Sequence, residues 1–309
     1  MWENCADDPR LDDDYEERCR LHKILDGSAI AARLRKKLAE DVAEFTNNYF
    51  RPGLAVILVG DNPASKIYVE KKRQACEEVG IYSVVHTDLH SQDDVMRRLD
   101  RLNIPGNGIH ALLVQLPLPK DEFSELTVFK NISMDKDVDV LNPYNVGLLA
   151  HAHPPFLPCT PHAIQIMLKE SGVSTKGKHI VIINRSHIVG RPLSSMLIQD
   201  NDFGNASVSI LHDNTPASEL PKFVKSADIV VVAVGIPGFL KADMVREGQI
   251  ILDVGTTKNG KKILGDVDPA VYNIVSKYSL PKGGVGPLTV YCLLENTFIA
   301  AKKFAGLYN

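Results

Sequence analysis

The sequence predicts an α/β protein with two domains, each built around a parallel sheet. Three observations support this prediction: apolar runs alternate with helical patterns, prolines cluster once near the middle of the chain, and a glycine-rich segment precedes a final helix. Alternating strands and helices are typical of parallel sheets that carry helices on both faces. The proline cluster at 154–161 marks the expected hinge or domain boundary.

The first half of the chain predicts an α/β domain over residues 22–160. Its first buried strand, 54–59, ends in the turn sequence Gly-Asp-Asn-Pro. The further elements expected in this half are a helix at 65–79, a strand at 81–85, a helix at 92–102 and a strand at 109–116.

The second half predicts a Rossmann-like, doubly wound cofactor domain over residues 161–289. The expected elements are helices at 162–170 and 192–200 and strands at 179–183, 207–211, 229–234 and 249–254. A final helix begins near Thr289 in this interpretation. We expect this C-terminal helix, residues 290–309, to pack back on the first domain.

Composition limits the class of protein. The chain has 309 residues, 44% of them hydrophobic and 24% charged, as in ordinary globular proteins. A net charge of −3 gives no global basic field for nucleic acid, although a local basic cleft stays possible. No apolar run reaches the roughly 18 residues of a membrane span. Residues 1–21 are acidic and lack a signal-peptide core, so a disordered extension is expected.

The cysteines and histidines give no metal signature. The five cysteines are odd in number and scattered along the chain. The close pair His151 and His153 has no other ligand type nearby in sequence. This usage favours a reduced, cytoplasmic protein without a metal site.

A lysine lies on an otherwise apolar helical stripe. Tyr68, Lys72, Ala75, Cys76 and Val79 follow helical spacing and should share one inward face. Burial would lower the pKa of Lys72 and suit it to proton transfer. The alternative is a lysine whose charge snorkels to solvent, with Tyr68 as an ordinary core aromatic.

Polar residues follow the strand at 109–116. Gln115 ends the run at the carboxyl edge of a parallel strand, where ligands of open α/β sheets collect; a solvent-facing polar residue is the alternative. Asp137 and Asp139 alternate and should face opposite ways. One of them is a candidate for the site, and a solvated acidic turn is the other interpretation.

The turn after strand 179–183 is similar to a dinucleotide-binding βα turn. Asn184 stands where a glycine is expected, and asparagine tolerates left-handed backbone. Phosphates would bind the amides at the following helix start. Arg185 suits the 2′-phosphate of NADP, whereas Asp213 suits the free ribose of NAD, so both cofactors stay open.

A glycine-rich segment precedes the last helix. Gly283, Gly284, Gly286 and Pro287 disfavour both helix and strand. We expect a loop whose backbone closely approaches another group, and a tight turn is the alternative.

These segments together resemble the bifunctional methylenetetrahydrofolate dehydrogenase/methenyltetrahydrofolate cyclohydrolase family from about residue 25 to residue 304. The resemblance rests on eight motifs in order: Ser65-x-x-Tyr68-x-x-x-Lys72, Val114-Gln115-Leu116-Pro117-Leu118-Pro119, Lys136-Asp137-Val138-Asp139, Pro158-Cys159-Thr160-Pro161, Arg185-Ser186-x-Ile188-Val189-Gly190-x-Pro192, Asp253-Val254-Gly255, Gly265-Asp266-Val267 and Gly283-Gly284-Val285-Gly286-Pro287. It implies oxidation of 5,10-methylenetetrahydrofolate with NADP, then hydrolysis of the methenyl product to 10-formyltetrahydrofolate.

The resemblance also implies roles for particular residues. Lys72 would transfer protons, Gln115 would tune it, Tyr68 would line the pterin and Asp139 would hydrogen-bond it. The implied substrate-binding set is Ser65, Tyr68, Lys72, Val114, Gln115, Leu116, Asp139, Lys282, Gly283, Gly284, Val285, Gly286 and Pro287. The implied cofactor-binding set is Asn184, Arg185, Ser186, Val189, His212, Asp213, Thr256 and Thr289.

Three departures from the family pattern bear on these roles. Asn184 replaces the usual glycine, Asp213 replaces a serine that commonly contacts the 2′-phosphate, and Lys282 interrupts a proline-valine-proline lead. The first two leave NAD open beside NADP. The rival interpretations are a monofunctional NAD-dependent dehydrogenase and a non-catalytic nucleotide-binding sensor. A homodimer is expected from the resemblance alone.

Overall fold

The fold is described from a computed structural model, over residues 23–119, 121–260 and 262–307. The acidic extension expected at residues 1–21 lies outside the described residues. Two parallel sheets and their helices make up most of this part of the chain. The helices are α1 Gly27–Asn48, α2 Pro63–Glu78, α3 Gln92–Asn103, α4 Glu125–Lys130, α5 Pro143–Ala150, α6 Cys159–Glu170, α7 Gly190–Leu197, α8 Leu220–Ser226 and α9 Val285–Phe304.

The smaller sheet has three parallel strands in the order β3-β2-β4. Its strands are β2 Gly53–Ile57, β3 Tyr82–His86 and β4 Ala111–Val114. The central strand β2 is buried along its whole length, as expected for a run covered by helices on both faces. This sheet carries helix α2 and the turn after β4, where the predicted Lys72 and Gln115 lie.

The larger sheet has six parallel strands in the order β1-β11-β8-β7-β5-β6. Its strands are β1 Ile24–Leu25, β5 His179–Ile183, β6 Ser207–Leu211, β7 Ile229–Val232, β8 Ile250–Asp253 and β11 Lys277–Ser279. An antiparallel hairpin, β9 Thr256–Asn259 with β10 Lys262–Gly265, follows β8. The predicted doubly wound, Rossmann-like sheet is confirmed.

Strand β1 corrects the predicted assignment of the chain to its two units. Ile24 and Leu25 pair in parallel with Tyr278 and Ser279, so they complete the sheet of the second unit. Two residues carry too little periodicity to be recognised as a strand from sequence. The chain thus crosses from the larger sheet to helix α1 before it builds the smaller one.

The final helix packs back on α1 in the first part of the chain, as predicted, and it also packs on α6, which follows the proline cluster. It begins at Val285, so the prediction of a start at Thr289 was wrong. Gly286 and Pro287 lie in its first turn, where backbone N–H groups lack intrahelical acceptors and a proline is tolerated. Among the described residues, no helix is long and apolar enough to cross a bilayer.

Candidate active site between the two sheets

A cavity of about 1020 Å³ opens between helix α2, the hairpin after β8 and the start of α9. It brings together many of the predicted site residues from distant parts of the sequence. Those that line it are Tyr68, Lys72, Thr256, Lys282, Gly283, Val285, Gly286, Pro287 and Thr289. Asp26, Ser28 and Arg35 also line the cavity, and sequence reasoning missed them because helix α1 was not predicted.

Other predicted substrate residues lie outside this lining. Ser65 and Val114 are 4% and 1% exposed, within α2 and β4. Gly284 is buried as the N-cap of α9. Leu116 is half-buried and its carbonyl accepts a hydrogen bond from Gln115 Nε2 at 2.9 Å.

Helix α2 begins with a well-formed cap. Asn62 Oδ1 accepts hydrogen bonds from the amides of Ala64 and Ser65 at 2.9 and 3.2 Å, and Pro63 fills the first helical position. The cap fixes the helix start, and Tyr68 and Lys72, one turn apart, both reach the cleft.

Tyr68 corrects the predicted inward stripe. Ala75, Cys76 and Val79 are buried, but Tyr68 is 47% exposed. Its hydroxyl lies 3.2 Å from Thr256 Oγ1 on the hairpin that follows β8. The cleft, and not the core, faces this turn of the helix, so an open ring face is presented to any ligand there.

Lys72 is half-buried and hydrogen-bonded. Its Nζ donates to Gln115 Oε1 at 2.9 Å, so the amine points into the cleft and does not snorkel along the helix to solvent. Desolvation lowers the pKa of Lys72. The Asp139 carboxylate opposes this shift most strongly, followed by the thiols of Cys159 and Cys76. The Lys72 amine therefore loses its proton more readily than the amine of a lysine in water.

The two acids of the Lys136–Asp139 motif have different environments. Asp137 is buried and accepts hydrogen bonds at 2.9 Å from the amides of Leu141 and Asn142 and from Asn145 Nδ2. Burial raises the pKa of Asp137 to about 6 despite these donors. Asp139 is half-buried and its charge acts on Lys72, although it lies outside the residues that line the cavity.

The loop that carries Asp139 is strained at its next residue. Val140 has a φ of 58°, in the left-handed region that a β-branched residue rarely adopts. Such a conformation costs on the order of 1–3 kcal/mol and persists only where its surroundings hold it. Here the Asp137 carboxylate accepts hydrogen bonds from the Leu141 and Asn142 amides and so holds the residues that follow Val140.

The glycines before α9 allow two helix starts to meet. A Cβ on Gly27 would lie 1.9 Å from the Gly284 carbonyl oxygen. The Ser28 amide donates to the Gly283 carbonyl at 2.9 Å, and Gly283 has a φ of 86°. The close approach predicted for this segment is therefore between α1 and α9, beside the cavity.

The turn after β5 depends on the side chain of Asn184. Its Oδ1 accepts hydrogen bonds from the Ser186 amide, the Ser186 hydroxyl and the Gly190 amide at 2.8, 2.7 and 2.9 Å, and its Nδ2 donates to the Ala233 carbonyl at 2.5 Å. The φ of Asn184 is not positive, so the residue does not use the left-handed backbone that asparagine tolerates. Asn184 shapes the turn by hydrogen bonds instead.

The remaining cofactor candidates lie around this turn at the carboxyl ends of β5 and β6. Arg185 and Asp213 form an ion pair at 2.5 Å, with His212 Nδ1 3.9 Å from the same carboxylate oxygen. Ser186 Oγ accepts from the amide of Val189, the N-cap of α7. Arg185, which suits NADP, and Asp213, which suits NAD, are therefore paired with each other in this structure.

Two buried acids near the cleft were missed as site residues. Asp253 lines the cavity and accepts hydrogen bonds from the amides of Asp266 and Val267 at 2.9 and 3.3 Å, and burial raises its pKa to about 7. Asp266 Oδ2 accepts from the amides of Val234 and Gly235 at 2.6 and 2.9 Å. The sequence features that could have identified them are the Asp-Val-Gly motif at 253–255 and the Gly-Asp-Val motif at 265–267.

No group of three or more metal-ligating side chains occurs within the described ranges 23–119, 121–260 and 262–307. Around Lys72 the structure brings together an amine with a lowered pKa, the Gln115 amide and the Asp139 carboxylate. Together with a Rossmann-like sheet, this cleft defines a two-domain α/β enzyme of the nucleotide-dependent class.

Comparison with known proteins identifies the family. The chain belongs to the tetrahydrofolate dehydrogenase/cyclohydrolase family: the model of its catalytic domain matches residues 25–139, and that of its NAD(P)-binding domain matches residues 158–305. A bifunctional protein FolD 2 from Geobacter metallireducens is 44% identical over 287 residues, which are 92% of this chain and 98% of that protein.

Solved structures agree over the same length. A bifunctional FolD methylenetetrahydrofolate dehydrogenase/cyclohydrolase from Campylobacter jejuni is 40% identical, with a TM-score of 0.84 over 91% of this chain and 98% of that one. The Trypanosoma brucei enzyme, solved with NADP and an inhibitor, is 33% identical with a TM-score of 0.83 over 91% of this chain and 97% of that one. The family predicted from the eight motifs is confirmed.

Proposed function

We propose that this protein is a bifunctional enzyme that oxidises 5,10-methylenetetrahydrofolate to the methenyl form with NADP and hydrolyses that product to 10-formyltetrahydrofolate. The observation that carries the proposal is the half-buried Lys72 amine, hydrogen-bonded to Gln115 inside the cleft. Hydrolysis of the methenyl carbon needs a base for water, and a desolvated amine supplies one more readily than a lysine in water.

The folate would lie in the cleft between the sheets. The exposed ring of Tyr68 offers a stacking face for the pterin, and Asp139 offers a carboxylate that accepts hydrogen bonds from it. The backbone of Gly283 and Gly286 lines the same cavity. Lys282, also in the lining, is placed to attract the glutamate carboxylates of the substrate.

In the hydrolytic step, Lys72 would take the proton from the attacking water and return it during ring opening. The Gln115 carbonyl oxygen orients the amine for this transfer. The Asp139 charge keeps the pKa of Lys72 from falling further. Such positioned acid–base groups contribute typically about 10²- to 10⁴-fold in rate.

The residues around the β5 turn fit a nicotinamide nucleotide. Gly190 approaches the backbone of Asn184 so closely that a Cβ would lie 2.0 Å from its carbonyl oxygen, so glycine is required where the turn meets the start of α7. Arg185 and Ser186 would hold the phosphates, with Val189, His212 and Thr289 around the cofactor. When bound, the nicotinamide accepts the hydride; Tyr68 and Thr256, which touch across the cleft, would orient the folate toward it.

We further propose a cytoplasmic homodimer that supplies one-carbon units for purine biosynthesis. The family membership supports this assignment. We assign residues 22–160 with 290–309 to the catalytic domain and 161–289 to the cofactor domain, apart from strand β1.

Substitution of Lys72 tests the hydrolytic role. We expect Lys72→Ala to abolish cyclohydrolase turnover while folate still binds, because the other lining residues are unchanged. Absorbance of methenyltetrahydrofolate follows both steps, and Lys66→Ala is the control, an exposed lysine on the same helix. Hydrolysis at the wild-type rate in Lys72→Ala would contradict the role.

The same assay separates the rival functions. A monofunctional dehydrogenase would accumulate methenyltetrahydrofolate, and a nucleotide-binding sensor would form none. Running the assay with NADP and then with NAD establishes the preferred cofactor.

The Arg185–Asp213 ion pair gives a test of cofactor choice. We expect Asp213→Ser to lower the KM for NADP by about five- to tenfold, because it frees Arg185 and removes a charge that repels the 2′-phosphate. In an Arg185→Ala background the gain should shrink. An unchanged KM for NADP with a raised KM for NAD would show instead that Asp213 holds the ribose.

A further inference from the structure

One buried amide in helix α9 ties together the backbone around Asp139. Asn296 is 2% exposed, and its Nδ2 donates to the carbonyls of Val138 and Leu157, each at 2.8 Å. The same nitrogen lies 3.9 Å from Cys159 Sγ. A single side chain on the last helix therefore joins the Asp139 loop to the start of α6.

Both segments that Asn296 joins adjoin Asp139. Val138 precedes it in the chain, and the Cys159 amide donates to Asp139 Oδ1 at 3.4 Å. The Cys159 thiol also hydrogen-bonds the Val138 carbonyl at 3.5 Å. The strained Val140 follows directly, so this loop needs external contacts to keep its shape.

We propose that Asn296 is a positioning residue for hydrolysis, which holds the Asp139 carboxylate in place opposite Lys72. The proposal rests on the proposed function of Lys72. Asn296 acts through Asp139: its two hydrogen bonds hold the carbonyl before Asp139 and the segment that donates to its carboxylate. It is not itself a catalytic residue.

The charged and titratable groups that face Lys72 come from three elements. Cys76 lies on its own helix, Asp139 on the loop after β4, and Cys159 at the start of α6. Of these, Asp139 raises the pKa of Lys72 most. Movement of Asp139 away from the amine would therefore lower the pKa of Lys72.

The test is the pH profile of cyclohydrolase turnover in Asn296→Ala. Cyclohydrolase turnover should rise with pH as Lys72 loses its proton. Displacement of the Asp139 carboxylate should lower the pKa of Lys72 and so move this rising part of the profile to lower pH, by about one unit. The plateau rate should fall by roughly 10- to 100-fold, as for a misplaced catalytic group. In an Asp139→Asn background, Asn296→Ala should give no further shift.

Thr297→Val is the matched control. Thr297 is fully buried on the same helix, and its hydroxyl donates to the Leu293 carbonyl at 2.8 Å, so the variant also loses one buried hydrogen bond. It should lower the unfolding midpoint in urea without moving the pH profile. Asn296→Ser keeps one donor, should lie between wild type and Asn296→Ala, and serves if the alanine variant does not fold.

Equal loss of stability in Asn296→Ala and Thr297→Val, with an unshifted profile in both, would overturn the positioning role. Failure of the underlying function gives a different result, because Lys72→Ala would then keep wild-type hydrolysis. The Lys72→Ala variant therefore distinguishes failure of the positioning role of Asn296 from failure of the proposed function.

Discussion

Asn184→Ala is the substitution that most directly tests how this protein builds its nucleotide turn without the usual glycine. The alanine removes the three bonds accepted by Oδ1 and the one donated by Nδ2. It leaves the Gly190 amide and the Ala233 carbonyl to find other partners. The turn is half-buried, so water can replace some of these bonds but not all.

The cost follows from the number of bonds. A net contribution of about 1 kcal/mol for each gives a loss of about 2–4 kcal/mol in the free energy of unfolding, the lower value if water reaches the freed groups. Asn184→Asp separates the two halves of the amide. It keeps the accepted bonds, but a carboxylate oxygen replaces the donor and faces the Ala233 carbonyl, so the loss should exceed the roughly 1 kcal/mol of one hydrogen bond.

Two measurements follow the effect. Urea unfolding gives the change in stability, and steady-state kinetics give the KM for NADP, which should rise because the amides and Arg185 move with the turn. Cyclohydrolase turnover should be unchanged, since Lys72 and Gln115 are carried by the other sheet. Asn48→Ala, an exposed asparagine with one local hydrogen bond, is the control and should change stability by less than about 0.5 kcal/mol.

The reasoning would be refuted by an Asn184→Ala protein with wild-type stability and wild-type KM for NADP. In that case the turn keeps its shape from the backbone and from Gly190 alone. A loss in cyclohydrolase equal to that in dehydrogenase would also contradict it, because the effect would then be global.

Two further predictions concern packing and pH. Gly27→Ala should cost about 1–3 kcal/mol of stability by urea unfolding and raise the KM for folate, because the added methyl meets the Gly284 carbonyl oxygen. Gly147→Ala, at an exposed helical position with open space around it, should stabilise by up to about 1 kcal/mol. Asp253 has a folded pKa of about 7 against about 3.9 when unfolded, so its contribution is complete below about pH 4 and is lost as pH rises to about 7. The slope is at most about 1.4 kcal/mol per pH unit and should flatten in Asp253→Asn; an unchanged slope would contradict the assignment.

The elements with strong periodicity were predictable from sequence. Strands His179–Ile183 and Ser207–Leu211 have the predicted bounds, because each is a short apolar or alternating run between turn residues. Helix α1 was not predicted, so Ser28 and Arg35 were not recognised from the sequence as lining residues. Strand β1 could not be recognised, since two residues pair only because β11, more than 250 positions later, presents an open edge.

In the candidate site, the lysine on an apolar stripe could be recognised from the local sequence. The different roles of the two nearby acids could not. Asp137 and Asp139 alternate in sequence, and only the fold shows that Asp137 holds the loop while Asp139 faces the amine. Asn184 shapes its turn through side-chain hydrogen bonds and not through left-handed backbone, and the residue type alone does not decide between the two. Such choices depend on partners far away in the chain.

The distribution of these residues explains how one cleft can hold two chemistries. The groups assigned to hydrolysis, Lys72 and Gln115, are attached to the smaller sheet, whereas Asn184 and Arg185 are attached to the larger one. Tyr68 on α2 and Thr256 on the hairpin after β8 touch across the cleft, and α1, which leads from β1 to the smaller sheet, contacts Gly283 beside the cavity. A substitution within one set should therefore leave the other activity intact, whereas a change at the contacts, such as Gly27→Ala, should affect both.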